Sequence, residues 1–457
     1  MTTAHDTPSG ASVRRVAKGE RIAVLDVLRG VAILLILVMN IPFMGGYAMP
    51  QPLDPRMNGW AEIDQAVYRG MGLFLDGTQR GLLELLFGAG MMIMLREAMR
   101  PDSPMAIADL HMRRNLWLMA FGVFHALVLL WPGDILFPYG LVAILVFGLR
   151  TLSPRAKAIA GLALILLAIA PGAYRYVERT DLVAKVAAAE TKVAQKAKLS
   201  AEETRALETW REKQANNLPP EASAKKREAM AEERKLRMGP LPQYVGFSWV
   251  GWSKLNFAPT AWFWFAEAAG TMLLGMALFQ WGIIQGRRST VFYLAMAAVG
   301  YGVGVSLRWL AIEETLRFTP APKLGWITWD VARLALALGH VALINLVVRS
   351  AVGARILSVF QAPGRMPLTI YLSASFIGMW ILFPGFALGL WGKYSWAGME
   401  TIAVMVIAGQ LLFANLWLRA FESGPVDWLW KSLAYRQRQP FRKQTPPRVA
   451  AAPAAAE

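Results

Sequence analysis

A small set of ionisable side chains sits inside otherwise apolar stretches of this chain, and they carry most of its chemical content. A charge at the centre of an inserted helix costs ~2.5–3.5 kcal/mol on insertion scales. Such residues therefore persist where they line a cavity, pair with one another or perform chemistry. His125, in Phe121-Gly122-Val123-Phe124-His125-Ala126, is foremost among them. A neutral imidazole is buried cheaply and can still move a proton. The same setting also suits a histidine satisfied by an interhelical hydrogen bond. Its position, about ten residues into its apolar run, implies a depth of roughly 15 Å. Asp134 follows in the turn Trp131-Pro132-Gly133-Asp134. If the helix of His125 continues, Asp134 stands roughly 13 Å above it, beyond direct contact, although both can line one shaft.

Other polar residues fall at helical spacings. Asp26 and Arg29, three apart, share a helix face. They serve either as a structural ion pair or, through the guanidinium, as a contact for donor phosphates. Gly30 beside them allows close approach of another helix or a ligand. Asn40, before Pro42, is either a helix cap or a hydrogen-bonding group at the mouth of a site. Glu84 lies among leucines and needs a partner or serves as a proton carrier. Glu267, Arg308, Asp330 and Arg333 all fall near one set of helix ends, which suggests a charged cavity or a ring of salt bridges. His340, seven residues after Arg333, is a second buried imidazole. His5 and His111 fall in the N-terminal tail and an inner loop, and the four histidines show no metal-binding spacing.

The elements that must hold these residues are long apolar runs. The chain is 457 residues long and 55% hydrophobic. Runs at 22–43, 74–95, 115–132, 135–150, 156–174, 260–284, 290–312, 326–348, 367–391 and 398–420 predict an all-α, polytopic membrane bundle of about ten helices. Arg14, Arg15, Arg96, Arg100, Arg113, Arg114, Arg287 and Arg288 crowd one set of short loops, so both termini are expected in the cytoplasm. Residues 1–20 read as a tail, 21–175 and 259–436 as two five-helix halves, and 437–457 as a basic, then Pro/Ala-rich, tail. Between the halves, 176–258 reads as a periplasmic insertion. Within it, 180–238 carries two polar helices, with a capping box at Ser200-Ala201-Glu202-Glu203 and a break at Asn216-Asn217-Leu218-Pro219-Pro220. The insertion is a cap, a docking arm or a solvated excursion. The net charge of +17 is expected to orient the protein and meet anionic lipid rather than nucleic acid. The absence of cysteine excludes disulfides, thiolate catalysis and Cys-ligated metal.

Five ordered motifs carry a resemblance. They are Leu25-Asp26-Val27-Leu28-Arg29-Gly30 with Asn40; Leu86-Phe87-Gly88-Ala89-Gly90; His125-Ala126 with Gly133-Asp134-Ile135-Leu136; Gly364-Arg365-Met366-Pro367-Leu368-Thr369-Ile370-Tyr371; and Gly424-Pro425-Val426-Asp427-Trp428. Together they resemble the YeiB-like bacterial inner-membrane family, domain of unknown function 418. That family is similar to the transmembrane acyltransferase group, which includes the lysosomal heparan-alpha-glucosaminide acetyltransferase. The resemblance implies an acyl-CoA donor on the cytoplasmic side and an acceptor, often a sugar, on the far side, with no bound cofactor. The lysosomal enzyme has a functional histidine in the loop after the Asn, whereas residues 41–75 here hold none. His125 is then the expected base, Asn40 an oxyanion donor worth ~3–4 kcal/mol, and Asp134 and Glu267 orienting groups. The donor and acceptor contacts are expected among Asp26, Arg29, Glu84, Arg308, Arg333 and His340. A competing reading is a transporter with a proton path through Glu84, His125 and His340, although no internal repeat supports it. A third is a scaffold that docks through the 180–238 arm.

Overall fold

The computed structural model describes residues 23–48, 53–94 and 105–443. The expected tail at 1–20, His5, Arg14, Arg15, Arg96, Arg100 and residues 444–457 of the last tail lie outside that set. Among the described residues all regular structure is helical, apart from one isolated bridge between Phe421 and Arg442. The first helices are α1 (Ala23–Gly45), α2 (Glu62–Phe74), α3 (Thr78–Met94), α4 (Met105–Leu127) and α5 (Leu136–Phe147). The middle of the chain forms α6 (Pro154–Ala194), α7 (Ala201–Ala215), α8 (Ala224–Arg237) and α9 (Leu241–Phe257). Then come α10 (Ala261–Gln280), α11 (Thr290–Leu316), α12 (Gly325–Val347), α13 (Ala351–Leu357), α14 (Gln361–Arg365) and α15 (Pro367–Phe376). A π-helical turn, Ile377–Leu382, extends α15 before α16 (Trp396–Ala420) and α17 (Pro425–Tyr435).

This is a multi-pass membrane architecture, but ten full spans are not established. Among the described residues, α1, α6, α10, α11, α12 and α16 are long and apolar enough to cross a bilayer. The segment from Ala351 to Leu382, bent by 77°, makes a seventh candidate. The expected spans at 74–95 and 135–150 are helices of only 17 and 12 residues. At 1.5 Å per residue, α5 covers roughly 18 Å of a hydrocarbon core about 30 Å thick. The expected run at 115–132 instead begins at Met105 and stops at Leu127, so Arg113, Arg114 and His111 are helical rather than in a loop. Arg113 pairs with Asp109, and Arg114 stacks on Trp430, which lets the polar first turns of α4 persist. The lipid requirement is visible on α6, α11 and α16, where Leu166, Leu294, Val404 and Leu412 remain more than half exposed. A contiguous apolar exterior of that kind is stable against acyl chains and costly against water.

Glycines set the depth of helix packing. A Cβ at Gly30 would lie 1.9 Å from the Phe360 carbonyl oxygen, and one at Gly364 would lie 1.8 Å from that of Asp26. The Leu25–Gly30 and Gly364–Tyr371 motifs are therefore the two sides of one backbone-to-backbone crossing. Gly88 approaches Met272 and Gly275 approaches Leu85 in the same way, locking α3 to α10. Without a hydrophobic driving force between helices in lipid, such close approach supplies the dispersion contact that holds them. The last motif has a capping role. Asp427, at the start of α17, accepts from the Leu368 and Thr369 amides and the Thr369 hydroxyl, satisfying donors at the N-terminus of α15.

The polar insertion is docked. Its capping box forms as the sequence predicts: Glu203 N donates to Ser200 Oγ, and Ser200 N donates to Glu203 Oε2 at 2.8 Å. Lys226 of α8 meets Asp54, in the loop after α1, at 2.5 Å. Arg56 binds Asp54 and also donates to the Asn217 carbonyl. Burial raises the Asp54 pKa, but hydrogen bonds from Arg56 and Lys226 outweigh it and hold the carboxyl below its ordinary value. Glu233 accepts from the Ala48 amide and from Arg237, whose guanidinium lies over Phe247 and Trp391. Helix α9 then lies against α4, with Ser248 donating to the Ala126 carbonyl at 2.9 Å.

Candidate functional site

The structure corrects the expected separation of His125 and Asp134. His125 Nδ1 lies 2.8 Å from Asp134 Oδ1, and both side chains are fully buried. The helix does not continue. It ends at Leu127, Leu130 takes a positive φ of 60°, and the Trp131 amide turns back to the His125 carbonyl. Asp134 therefore sits beside the last turn of α4 rather than above it, and His125 lies at the end of its helix rather than midway. Gly122 makes room, since a Cβ there would meet Asp134 Oδ2 at 2.5 Å. The Leu136 and Phe137 amides donate to the two Asp134 oxygens, at 3.1 and 2.8 Å.

That arrangement fixes the imidazole. A carboxylate held by two amides accepts only, so Nδ1 carries the proton and Nε2 is left as an acceptor. Ser375 of α15 fills that position, its hydroxyl 2.7 Å from Nε2. Tyr371, one turn earlier on α15, packs edge-on against the ring at 4.7 Å between centroids.

Two cavities approach this centre. The first, about 420 Å³, runs from Asp26, Arg29, Arg114 and Lys431 past His111 and Phe87 to Tyr139, Ile135 and Tyr371. Asp26 and Arg29 form the expected pair at 3.1 Å, and Arg29 also donates to the Gly364 carbonyl. The second, about 440 Å³, is lined by Asn40, Asp76, Gln79, Arg80, Asp134, Lys254, Trp264 and Trp329. Ile135 lines both, Tyr371 closes the first against His125, and Asp134 opens onto the second. Asn40 is within α1 rather than at its end, because Pro42 is accommodated and the helix runs to Gly45.

The remaining candidates divide between an ion cluster and isolated positions. Arg333, fully buried, meets Glu84 at 2.9 Å and also pairs with Glu267 and with Asp330. Arg80 bridges the same two glutamates at 3.2 and 2.6 Å, and the Tyr139 hydroxyl donates to Glu84. Arg308 pairs instead with Asp76, which also accepts from the Trp329 indole. These contacts make the salt-bridge alternative the observed one, with Arg80 reaching the second cavity. His340 stands apart: Nδ1 donates to the Leu336 carbonyl of its own helix and the ring packs on Tyr301. No hydrogen bond joins it to Glu84 or His125 among the described residues. His111 is buried in α4, donates to the Ala143 carbonyl and stacks on Phe147.

Four contributors have no place among the residues singled out from sequence. Arg80 had a usable signal, an i, i+4 spacing to Glu84 in an apolar run. Tyr139 and Ser375 had none, since their partners are 55 and 250 residues away. Gln79 is buried on the second cavity with both amide atoms unpartnered, a property invisible in sequence. Among the described residues no cluster of His, Asp and Glu has the geometry to hold a metal.

Residues 278–437 match the family described as "Protein of unknown function (DUF418)". The chain is 28% identical over 443 residues to the uncharacterized protein YxaH of Bacillus subtilis, covering 95% of this chain and 99% of that one. It is 28% identical over 445 residues to the uncharacterized protein YeiB of Escherichia coli, covering 93% and 99%. No solved structure gives a significant match.

Proposed function

Starting from a chain whose residues 278–437 match the DUF418 family, we propose that it is a bacterial inner-membrane acyltransferase. It moves an acyl group from cytoplasmic acyl-CoA to an acceptor on the far side, a sugar or another envelope component. One observation carries this: two cavities from opposite ends of α1 share Ile135 as a wall, and the two contacts of one buried, oriented imidazole, Tyr371 and Asp134, line the first and the second of them. The Asp26 end, with Arg29 and Arg114, suits the phosphates of the donor, and its apolar depth suits an acyl-thioester. The Asn40 end, with amides, charges and two tryptophans, suits a polar acceptor.

In this reading His125 Nε2 is the base that deprotonates the nucleophile, and Asp134 is a positioning residue that holds the tautomer and stabilises the imidazolium. Asn40 faces the acceptor cavity, where its amide donor can meet developing oxyanion charge. Arg80, Glu84, Glu267 and Arg333 brace α3, α10 and α12 around that cavity. In this reading Asp26 faces the cytoplasm, the orientation that the short-loop cations favour.

The test is donor consumption by the full chain in lipid nanodiscs. Acetyl-CoA and longer acyl-CoAs are supplied with an envelope extract as acceptor source, and thiol release is read with a thiol-reactive dye. The chain contains no cysteine, so once the extract's own thiols have been alkylated and the excess reagent removed, the thiol counted is coenzyme A. Release that depends on protein and extract is expected, with His125→Ala slower by ~100-fold or more. No release with any donor, or full activity in His125→Ala, refutes the proposal.

A further inference from the structure

Ser375 is placed unlike an ordinary hydroxyl in a membrane helix. Serines there usually satisfy themselves by bonding a carbonyl one turn back. Ser373, two residues earlier on α15, does so with the Ile370 carbonyl at 2.9 Å. Ser375 instead points at His125 Nε2, and this is its one hydrogen bond among the described residues. It is buried, and the helix changes immediately afterwards to the π-helical turn Ile377–Leu382. Such turns are uncommon and recur at functional positions.

The order of groups is carboxylate, imidazole, hydroxyl, at 2.8 and 2.7 Å. Two backbone amides hold the carboxylate. That is the geometry in which a hydroxyl becomes a nucleophile. The turn joining His125 to Asp134 also carries the Trp131 indole, buried beside the Tyr371 hydroxyl.

We propose that Ser375 is a covalent acyl carrier between the two cavities. This rests on the acyl-transfer reading for the identity of donor and acceptor. Ser375 Oγ attacks the thioester carbonyl as its proton passes to His125 Nε2. The C–S bond breaks, and the imidazolium returns that proton to the leaving thiolate, giving an ester on Ser375 and free coenzyme A. The acceptor hydroxyl then loses its proton to Nε2 as its oxygen attacks the ester. The C–Oγ bond breaks, the proton returns to Ser375, and the acylated acceptor departs. In this scheme the acyl group is carried on one buried side chain, set behind the Tyr371 wall of the first cavity and the Asp134 wall of the second, and neither substrate has to reach the other.

The test separates the nucleophile from the donor. The full chain in nanodiscs is treated with an alkyl fluorophosphonate, which needs no acyl-CoA, and the adduct is mapped by peptide mass. Labelling at Ser375 is expected, absent in Ser375→Ala and slower by ~100-fold or more in His125→Ala. Ser375→Cys supplies a variant that keeps the contact and carries the only thiol in the chain. Its alkylation by iodoacetamide should slow at least ~10-fold when His125→Ala is added. No adduct at Ser375, or thiol release at the wild-type rate in Ser375→Ala, overturns the carrier and leaves direct transfer standing. Labelling at Ser375 with no acyl-CoA consumed supports the nucleophile and refutes the donor.

Discussion

Replacing Arg333 with leucine removes the centre of the buried ion cluster. Its guanidinium is fully buried and serves Glu84 at 2.9 Å, Thr271 at 2.9 Å and Asp330 at 3.3 Å, in addition to Glu267. In Arg333→Leu the two buried glutamates face Arg80 alone, one positive charge against two negative ones, with Asp330 adding a third at the rim. Removing one partner of a buried pair costs ~3–5 kcal/mol, mostly through the charge left behind. At about 2 °C per kcal/mol for a large domain, the melting midpoint should fall by ~6–10 °C. The assay is intrinsic fluorescence during heating of detergent-purified protein, all variants scanned at one rate because membrane proteins seldom refold. Adding Glu84→Gln to Arg333→Leu restores one charge of each sign around Arg80 and Glu267. The double variant should therefore melt above Arg333→Leu by at least half of the loss. A single variant within ~1 °C of wild type, or losses that simply add in the double variant, would refute the claim that the cluster is one coupled charge balance.

Three further outcomes follow from other contacts. Asp134→Asn should lower acyl transfer by ~10³–10⁴-fold through the wrong imidazole tautomer; a loss under tenfold in the thiol-release assay would remove Asp134 as the positioning group. Gly364→Ala drives a Cβ into the Asp26 carbonyl, and backbone cannot yield, so a loss of ~1–3 kcal/mol is expected. Gly302→Ala, which meets nothing within 4 Å, should show no such loss in the same melt. The Asp54 anchor responds to acid with a defined sign. Its folded pKa lies below the unfolded value near 3.8, so its contribution is complete above that value and is lost as pH falls through the folded one. Hydrogen exchange of α8, corrected for intrinsic rate, should be unchanged between pH 7 and 5 and faster at pH 3; Asp54→Asn should abolish the difference.

The apolar runs were legible because a bilayer-crossing helix leaves a composition signal longer than any turn can imitate. The Asp26–Arg29 pair and the Ser200 capping box were legible because both partners are local. The count of ten is not established where length and charge compete: α5 is apolar enough but short, and α4 admits Arg113 and Arg114 because Asp109 and Trp430 receive them. The His125–Asp134 contact was hidden by a turn whose positive-φ residue is a leucine, with no glycine at that position to announce it. Ser375 and Tyr139 become meaningful only through partners brought together by the fold. The family motifs, in contrast, turned out to be largely architectural: Gly30 with Gly364, Gly88 beside Met272, and Asp427 over the start of α15 are packing devices that position the helices around the imidazole.

Helix α6 runs unbroken for 41 residues, a contour of roughly 61 Å. A hydrocarbon slab consumes only about half of that. The surplus is a rigid mast rooted beside α10 and α12, and the pair α7–α8 hangs from its tip before returning to the Asp54 loop. The overhang is therefore set at a fixed height above the headgroups, and shortening the mast by whole turns would lower it in steps of about 5.4 Å.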